Sequence, residues 1–87
     1  MERWLIVKAG EIKGNAFKRW VRFLWDGFLS SVKDVYRVRV AYRVNIYAIR
    51  LEGDQKDIEI AINYIKKHAK VLLEASDIQL DPMWERL

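Results

Sequence analysis

Apolar positions along this 87-residue chain fall into six separable patterns. Trp4-Leu5-Ile6-Val7 is a short β-rich run that stops at Gly10 and predicts a first strand. From Asn15, an N-cap residue type, Phe17, Trp20, Val21, Leu24 and Phe28 recur at spacings of three and four, with Lys18, Arg19, Arg22, Asp26 and Lys33 opposite them. That periodicity predicts a first helix, which Gly27 bends or frays before Val32. Residues 35 to 51 carry only aromatic, β-branched, alanine, leucine, arginine and asparagine side chains. One straight strand of that length would run about 56 Å at about 3.3 Å per residue, too long for a small domain. A turn at Val44 and Asn45 divides the run into a hairpin that pairs Tyr42 with Tyr47, Val40 with Ile49 and Val38 with Leu51, all apolar on one face. Asn45 tolerates a positive φ and Val44 does not, so a wider or bulged loop stays open.

After Glu52-Gly53-Asp54, Ile58, Ala61, Ile62, Ile65 and Ala69 mark the core stripe of a second helix from about 55 to 69. Val71 to Glu74 gives the last strand, which resumes at Ile78 to Leu80 or stops, and Pro82 ends regular structure. The order is βαββαβ. Two right-handed crossovers then give an α+β, ferredoxin-like sandwich: a four-stranded antiparallel sheet with two helices on one face. Residues 1 to 87 read as one domain, with 75 to 87 as an extension of the last strand and a tail.

Composition narrows the chemistry. There is no cysteine and one histidine, His68, which excludes disulfides, thiolate chemistry and a histidine-rich metal site, so neither metal nor cofactor is expected. No apolar run reaches the roughly 20 residues that cross a bilayer, and a cytoplasmic, membrane-free protein is the expectation. Sixteen basic residues against 12 acidic ones give a net charge of +4, which favours phosphate-bearing partners.

The candidate anion site is the two-glycine turn from Gly10 to Arg19, between the first strand and the first helix. Glycine lets successive amides point one way, and the positive end of a following helix adds its partial charge. Lys13, Gly14, Asn15, Ala16, Phe17 and Lys18 are the expected anion-binding residues. Gly10-x-Ile12-x-Gly14-x-x-Phe17-Lys18 resembles the acylphosphatase signature, in which glycine, x, valine, glutamine and glycine precede two variable positions, phenylalanine and arginine. Leu51 to Asp54, the helix after it and Asp77 to Leu80 resemble that family's later elements. The resemblance implies hydrolysis of acyl phosphates, but it departs at both catalytic places. The signature arginine aligns with Lys18, which lacks the bidentate fork, and the water-orienting asparagine aligns with Ala41. A non-catalytic relative is expected; if any catalysis survives, Lys18 or Arg19 carries it.

A second candidate is the sheet face away from the helices. With Tyr36, Val38, Val40 and Tyr42 inward, the outward set is Trp4, Ile6 and Lys8 with Arg37, Arg39, Ala41 and Arg43 and with Ile46, Ala48 and Arg50. Trp4, Lys8, Arg37, Arg39, Arg43 and Arg50 would form a nucleic-acid face, although in this register Arg39 meets Arg50, a like-charge pair. The plainer reading is that the arginines keep an edge strand soluble and unpaired. His68 is expected to serve the helix C-terminus, and Asp54, Asp57 and Glu59 the helix start. Ile60, Tyr64, Phe23 and Leu29 mark either a homodimer surface or a seat for the tail with Met83 and Trp84.

Overall fold

The computed structural model describes residues 1–8, 30–38 and 45–87. Its strands are β1 (Glu2–Lys8), β2 (Val32–Arg37), β3 (Ile46–Glu52), β4 (Lys70–Ala75) and β5 (Glu85–Arg86), with one helix, α1 (Gln55–His68), between β3 and β4. The sheet is antiparallel throughout, in the order β4-β1-β3-β2-β5. This corrects the expected four-stranded, two-helix βαββαβ sandwich: the sheet has five strands and the described residues hold a single helix. The helix predicted from Asn15 lies outside the described residues.

The second half of the chain forms what its pattern dictates. Asp54 adopts an extended N-cap conformation, Asp57 sits in the first turn, and Lys66, Lys67 and His68 occupy the last, matching the helix dipole at both ends. Ile58, Ala61, Ile62 and Ile65 are buried, at the three-and-four spacing that aims one stripe at the sheet. They pack on Leu5, Val7, Val32, Val35, Tyr47, Ile49 and Leu51 to make the main core. A 14-residue helix rises about 21 Å, close to the length of a seven-residue strand, so α1 returns the chain to the end of the sheet where β1 finishes. There β4 begins, with Lys70 beside Lys8.

The opposite face of the sheet is a second core. Trp4, Val38, Ile46 and Ala48 are buried together, and Ile6, Tyr36, Ile78 and Trp84 pack against them. The rings of Trp4 and Tyr36 lie tilted, with centroids 6.0 Å apart. This explains the unbroken burial of Ile46, Tyr47, Ala48 and Ile49: a strand covered on both faces has no polar side to alternate with.

The hairpin differs from the expected one in register. Val35 pairs with Ile49, Tyr36 with Ala48 and Arg37 with Tyr47, while Val32 pairs with Leu51 where Val38 was expected. The Val38 amide donates to the Ile46 carbonyl at 2.9 Å, so the connection is wider than two residues, and Asn45 takes φ 63° at its end. The change turns β2 over. Val35 and Arg37 share the helix face, and Tyr36 and Val38 face the second core. The tyrosine and valine lose nothing by this, because both faces are apolar. The gain is electrostatic: Asp34, rather than a second arginine, stands opposite Arg50.

The tail also departs from expectation, since Pro82 does not end regular structure. Glu85 and Arg86 pair with Arg37 and Tyr36, and the Leu87 amide donates to the Val35 carbonyl at 2.9 Å. Alternation about this edge sends Leu87 to the main core and Trp84 to the second. The tail therefore seats on its own domain, leaving Met83 and Ile60 exposed.

Candidate functional site at the charged ends of the sheet

Strand direction sorts the charges. Glu2 and Glu52 are ladder partners at one end of the sheet, where α1 begins after Asp54 and carries Asp57 in its first turn. Within reach of this acidic end, Arg50 projects from β3 and gathers three carboxylates. Its Nε donates to Asp34 Oδ2 at 2.6 Å, and its Nη1 donates to Glu52 Oε2 at 2.9 Å and Glu2 Oε1 at 3.1 Å. Arg86 from β5 brings Nη2 to 2.5 Å from Asp34 Oδ1. That contact is a close charge pair rather than an aligned hydrogen bond, for Oδ1 has no hydrogen-bond partner of good geometry. Asp34 is 6% exposed, and two cations from different strands meet the demand of its buried charge. The hydrogen bond from Asp34, with smaller help from Glu2 and Glu52 and against partial burial, holds the Arg50 guanidinium above its ordinary ionisation range. With Nε and Nη1 engaged, Arg50 works as a clasp between strands, not as a spare phosphate ligand.

The other end is basic. Lys8 closes β1, Lys70 opens β4 opposite it, and Lys66 and Lys67 lie in the last turn of α1; all four are exposed. Among the described residues no carboxylate forms an ion pair with any of them. Lys66 and Lys67 complement the negative end of the helix, which explains them without a ligand. The Lys8–Lys70 pair has no such explanation, because like charges directly opposite in a ladder repel. His68, in the last turn of α1, holds its ring tilted by 44° to that of Tyr64, with centroids 4.7 Å apart.

The residues singled out from sequence are thus dispersed. Lys13, Gly14, Asn15, Ala16, Phe17, Lys18 and Arg19 lie outside the described residues, as do Arg39, Ala41 and Arg43. Trp4 is 5% exposed and offers no ring to a base. Arg37 lies 3.7 Å from Glu85 on the helix side of the sheet, not on the face where it was expected. Among the described residues of that set, Lys8 alone is an exposed cation at a charged end with no described carboxylate paired to it. Sequence reasoning missed Asp34 and Arg86, and gave no role to Lys66, Lys67 and Lys70. A signal for Asp34 was present, since it is the one acid between positions 32 and 51, in a run whose other residues are apolar, cationic or, at Asn45 alone, a neutral amide. Among the described residues, no group of three or more histidine, aspartate or glutamate side chains is placed to hold a metal ion, and no helix is long and apolar enough to cross a membrane.

No family model matches this chain, and neither a curated protein nor a solved structure does.

Proposed function

We propose that this domain binds a phosphate-bearing ligand, without turning it over, at the basic end of its sheet. The observation that carries the reading is Lys8 opposite Lys70 in the β1–β4 ladder, two exposed ammonium groups with no described carboxylate between them. An anion across the pair turns a repulsion into two attractions. Lys66 and Lys67 add charge to the same end, and residues 10 to 18, with the glycine pattern suited to presenting amides to an anion, follow Lys8 in the chain. The arginine-face alternative, nucleic-acid binding, loses its stacking platform with the burial of Trp4 and one of its cations with the clasp around Arg50.

The test is an amide NMR titration with inorganic phosphate at low ionic strength, set against sodium chloride at matched ionic strength. Saturable shifts at Lys8, Lys66, Lys67, Lys70 and residues 10 to 18, lost in Lys8→Gln with Lys70→Gln, are the expected result. Shifts that chloride reproduces, or that survive the double substitution, refute the assignment. In the same preparation a simple acyl phosphate serves as a substrate probe. Turnover that rises when Lys18→Arg and Ala41→Asn are installed together would make the module a hydrolase.

A further inference from the structure

We infer that the edge of β2 is a strand-addition site for an extended peptide of another protein, and that residues 84–87 are the chain's own occupant of that site, displaced when the peptide binds. This edge is separate from the anion site, which lies on the other side of the sheet in strand order, at the β1–β4 ladder. Four consecutive tail residues each meet a receptor of matching chemistry. On one face Trp84 packs against the second core, and Arg86, opposite Tyr36, reaches the Asp34 carboxylate. On the other face Glu85 stands 3.7 Å from Arg37, and Leu87 packs against the main core. In strand addition the main-chain bonds supply affinity, and the seats for alternate side chains supply specificity. The edge therefore reads an aromatic residue, an acid, an arginine and an aliphatic residue in succession.

Two observations make this occupant exchangeable. Its ladder is two residues long, the Glu85 and Arg86 side chains are exposed, and Trp84 and Leu87 are only half-buried. A short segment that buries so little is displaced at small cost. The second observation is Asp34, whose side chain is 8% exposed and whose Oδ1, on the side of the tail, has no aligned hydrogen bond among the described residues even with Arg86 seated. The tail meets that buried oxygen by charge alone. A guanidinium that arrives on a separate peptide, untethered through residues 76–83, can turn an N–H onto it and gain a charge-assisted hydrogen bond. Against this, the tail competes at the high local concentration of any tethered segment, so a peptide binds in proportion to the time the tail is off.

The test uses the intact, isotope-labelled protein and an unlabelled, end-blocked peptide with the sequence of residues 81–87. Millimolar peptide is expected to shift the amides of residues 35–37 and to remove the NOE contacts between β2 and the chain's own residues 85–87. Glu85→Arg with Arg86→Glu turns both tail charges against their receptors, and this double variant is expected to bind the peptide at least about tenfold tighter than the parent does. Replacing the peptide's arginine with glutamine should weaken binding to the double variant about tenfold, and adding Asp34→Asn to the protein should erase that difference. The parent spectra carry the test by themselves where the double variant does not fold. No shift at residues 35–37 in either folded protein overturns the inference, as does a peptide that binds while the β2 contacts of residues 85–87 persist. An affinity indifferent to the peptide's arginine overturns it too, as do dimers that exchange tails between copies and take up no peptide.

Discussion

Replacing Arg50 with methionine keeps the aliphatic stem and removes the cation that Asp34 was folded against. Among the described residues Asp34 then retains only Arg86, whose side chain is 67% exposed and whose contact is not hydrogen-bond aligned. A hydrogen bond to a charged group contributes about 1.5–3 kcal/mol, and stripping one partner from a fully buried pair costs about 3–5 kcal/mol. Because the Arg50 side chain is itself 27% exposed and Arg86 remains, the lower part of these ranges applies, about 2–3 kcal/mol. In a domain of this size that lowers Tm by about 10–20 °C. Asp34→Asn removes the charge and keeps an oxygen for the Arg50 Nε, so its cost is about 1 kcal/mol. The decisive quantity is the double variant. Without the carboxylate there is no buried anion to strand, and D34N/R50M should be no less stable than R50M alone, a coupling of at least about 1 kcal/mol. Urea unfolding measures all four proteins without changing ionic strength. If the two costs add to within about 0.5 kcal/mol, the clasp is not what holds these strands together. The sign of the pH dependence follows from the raised ionisation range of Arg50: its stabilisation is complete below that range and is lost only as strongly alkaline pH removes the proton. The Arg50 part of the R50M deficit should therefore stay constant from about pH 6 to about pH 10.

Further outcomes are expected at two other places. Trp4 Nε1 is buried with no hydrogen-bond partner among the described residues, so Trp4→Phe, which deletes the stranded donor along with some apolar area, should change stability by less than about 1 kcal/mol. Trp4→Ala should cost about 3–5 kcal/mol in the same urea assay. Gly53 sits at φ 151°, and a Cβ there would meet nothing closer than the Ser31 Cβ at 3.8 Å. Gly53→Ala should therefore lose about 1–3 kcal/mol from backbone strain alone, and an equal loss in a variant that also removes the Ser31 side chain would confirm that crowding is not the cause.

Legibility followed the number of covered faces. Helix α1 and its buried stripe could be read because one side meets the sheet and the other meets water, so the three-and-four spacing of Ile58, Ala61, Ile62 and Ile65 stands out against lysine and glutamate. β1 and β3 could be located, and their facing was right: Leu5, Val7, Tyr47, Ile49 and Leu51 lie under the helix, and Trp4, Ile6, Ile46 and Ala48 lie away from it. What could not be read was that the second side is also a core. Once Trp84 and Ile78 cover it, apolar residues satisfy either face, and a β2 turned over has nearly the same apolar pattern as one that is not. Register then rests on a single polar contact, Asp34 with Arg50, between residues far apart in sequence. β5 is two residues long, below the length at which any periodicity exists, and only its partners reveal it. Of the candidate sites, Lys8 was visible as a cation at a strand end; that Lys70 would stand opposite it depended on the length of α1 matching the length of β1.

The seating of the tail has a kinetic consequence. Trp84 and Leu87 straddle the β2 edge and contribute to both cores, yet they lie at the far end of the chain from much of what they cover. Closing that edge is a long-range event, held by a two-residue ladder, the Leu87–Val35 hydrogen bond and the ion pairs of Arg86 with Asp34 and of Arg37 with Glu85, and such short terminal segments are the first to open. The Leu87 amide should therefore exchange with solvent by local detachment, well before the amides of β1 and β3 report global unfolding. Each such opening briefly leaves Asp34 with a single cation. An opening of this kind would make β2 an available edge without the rest of the sheet coming apart.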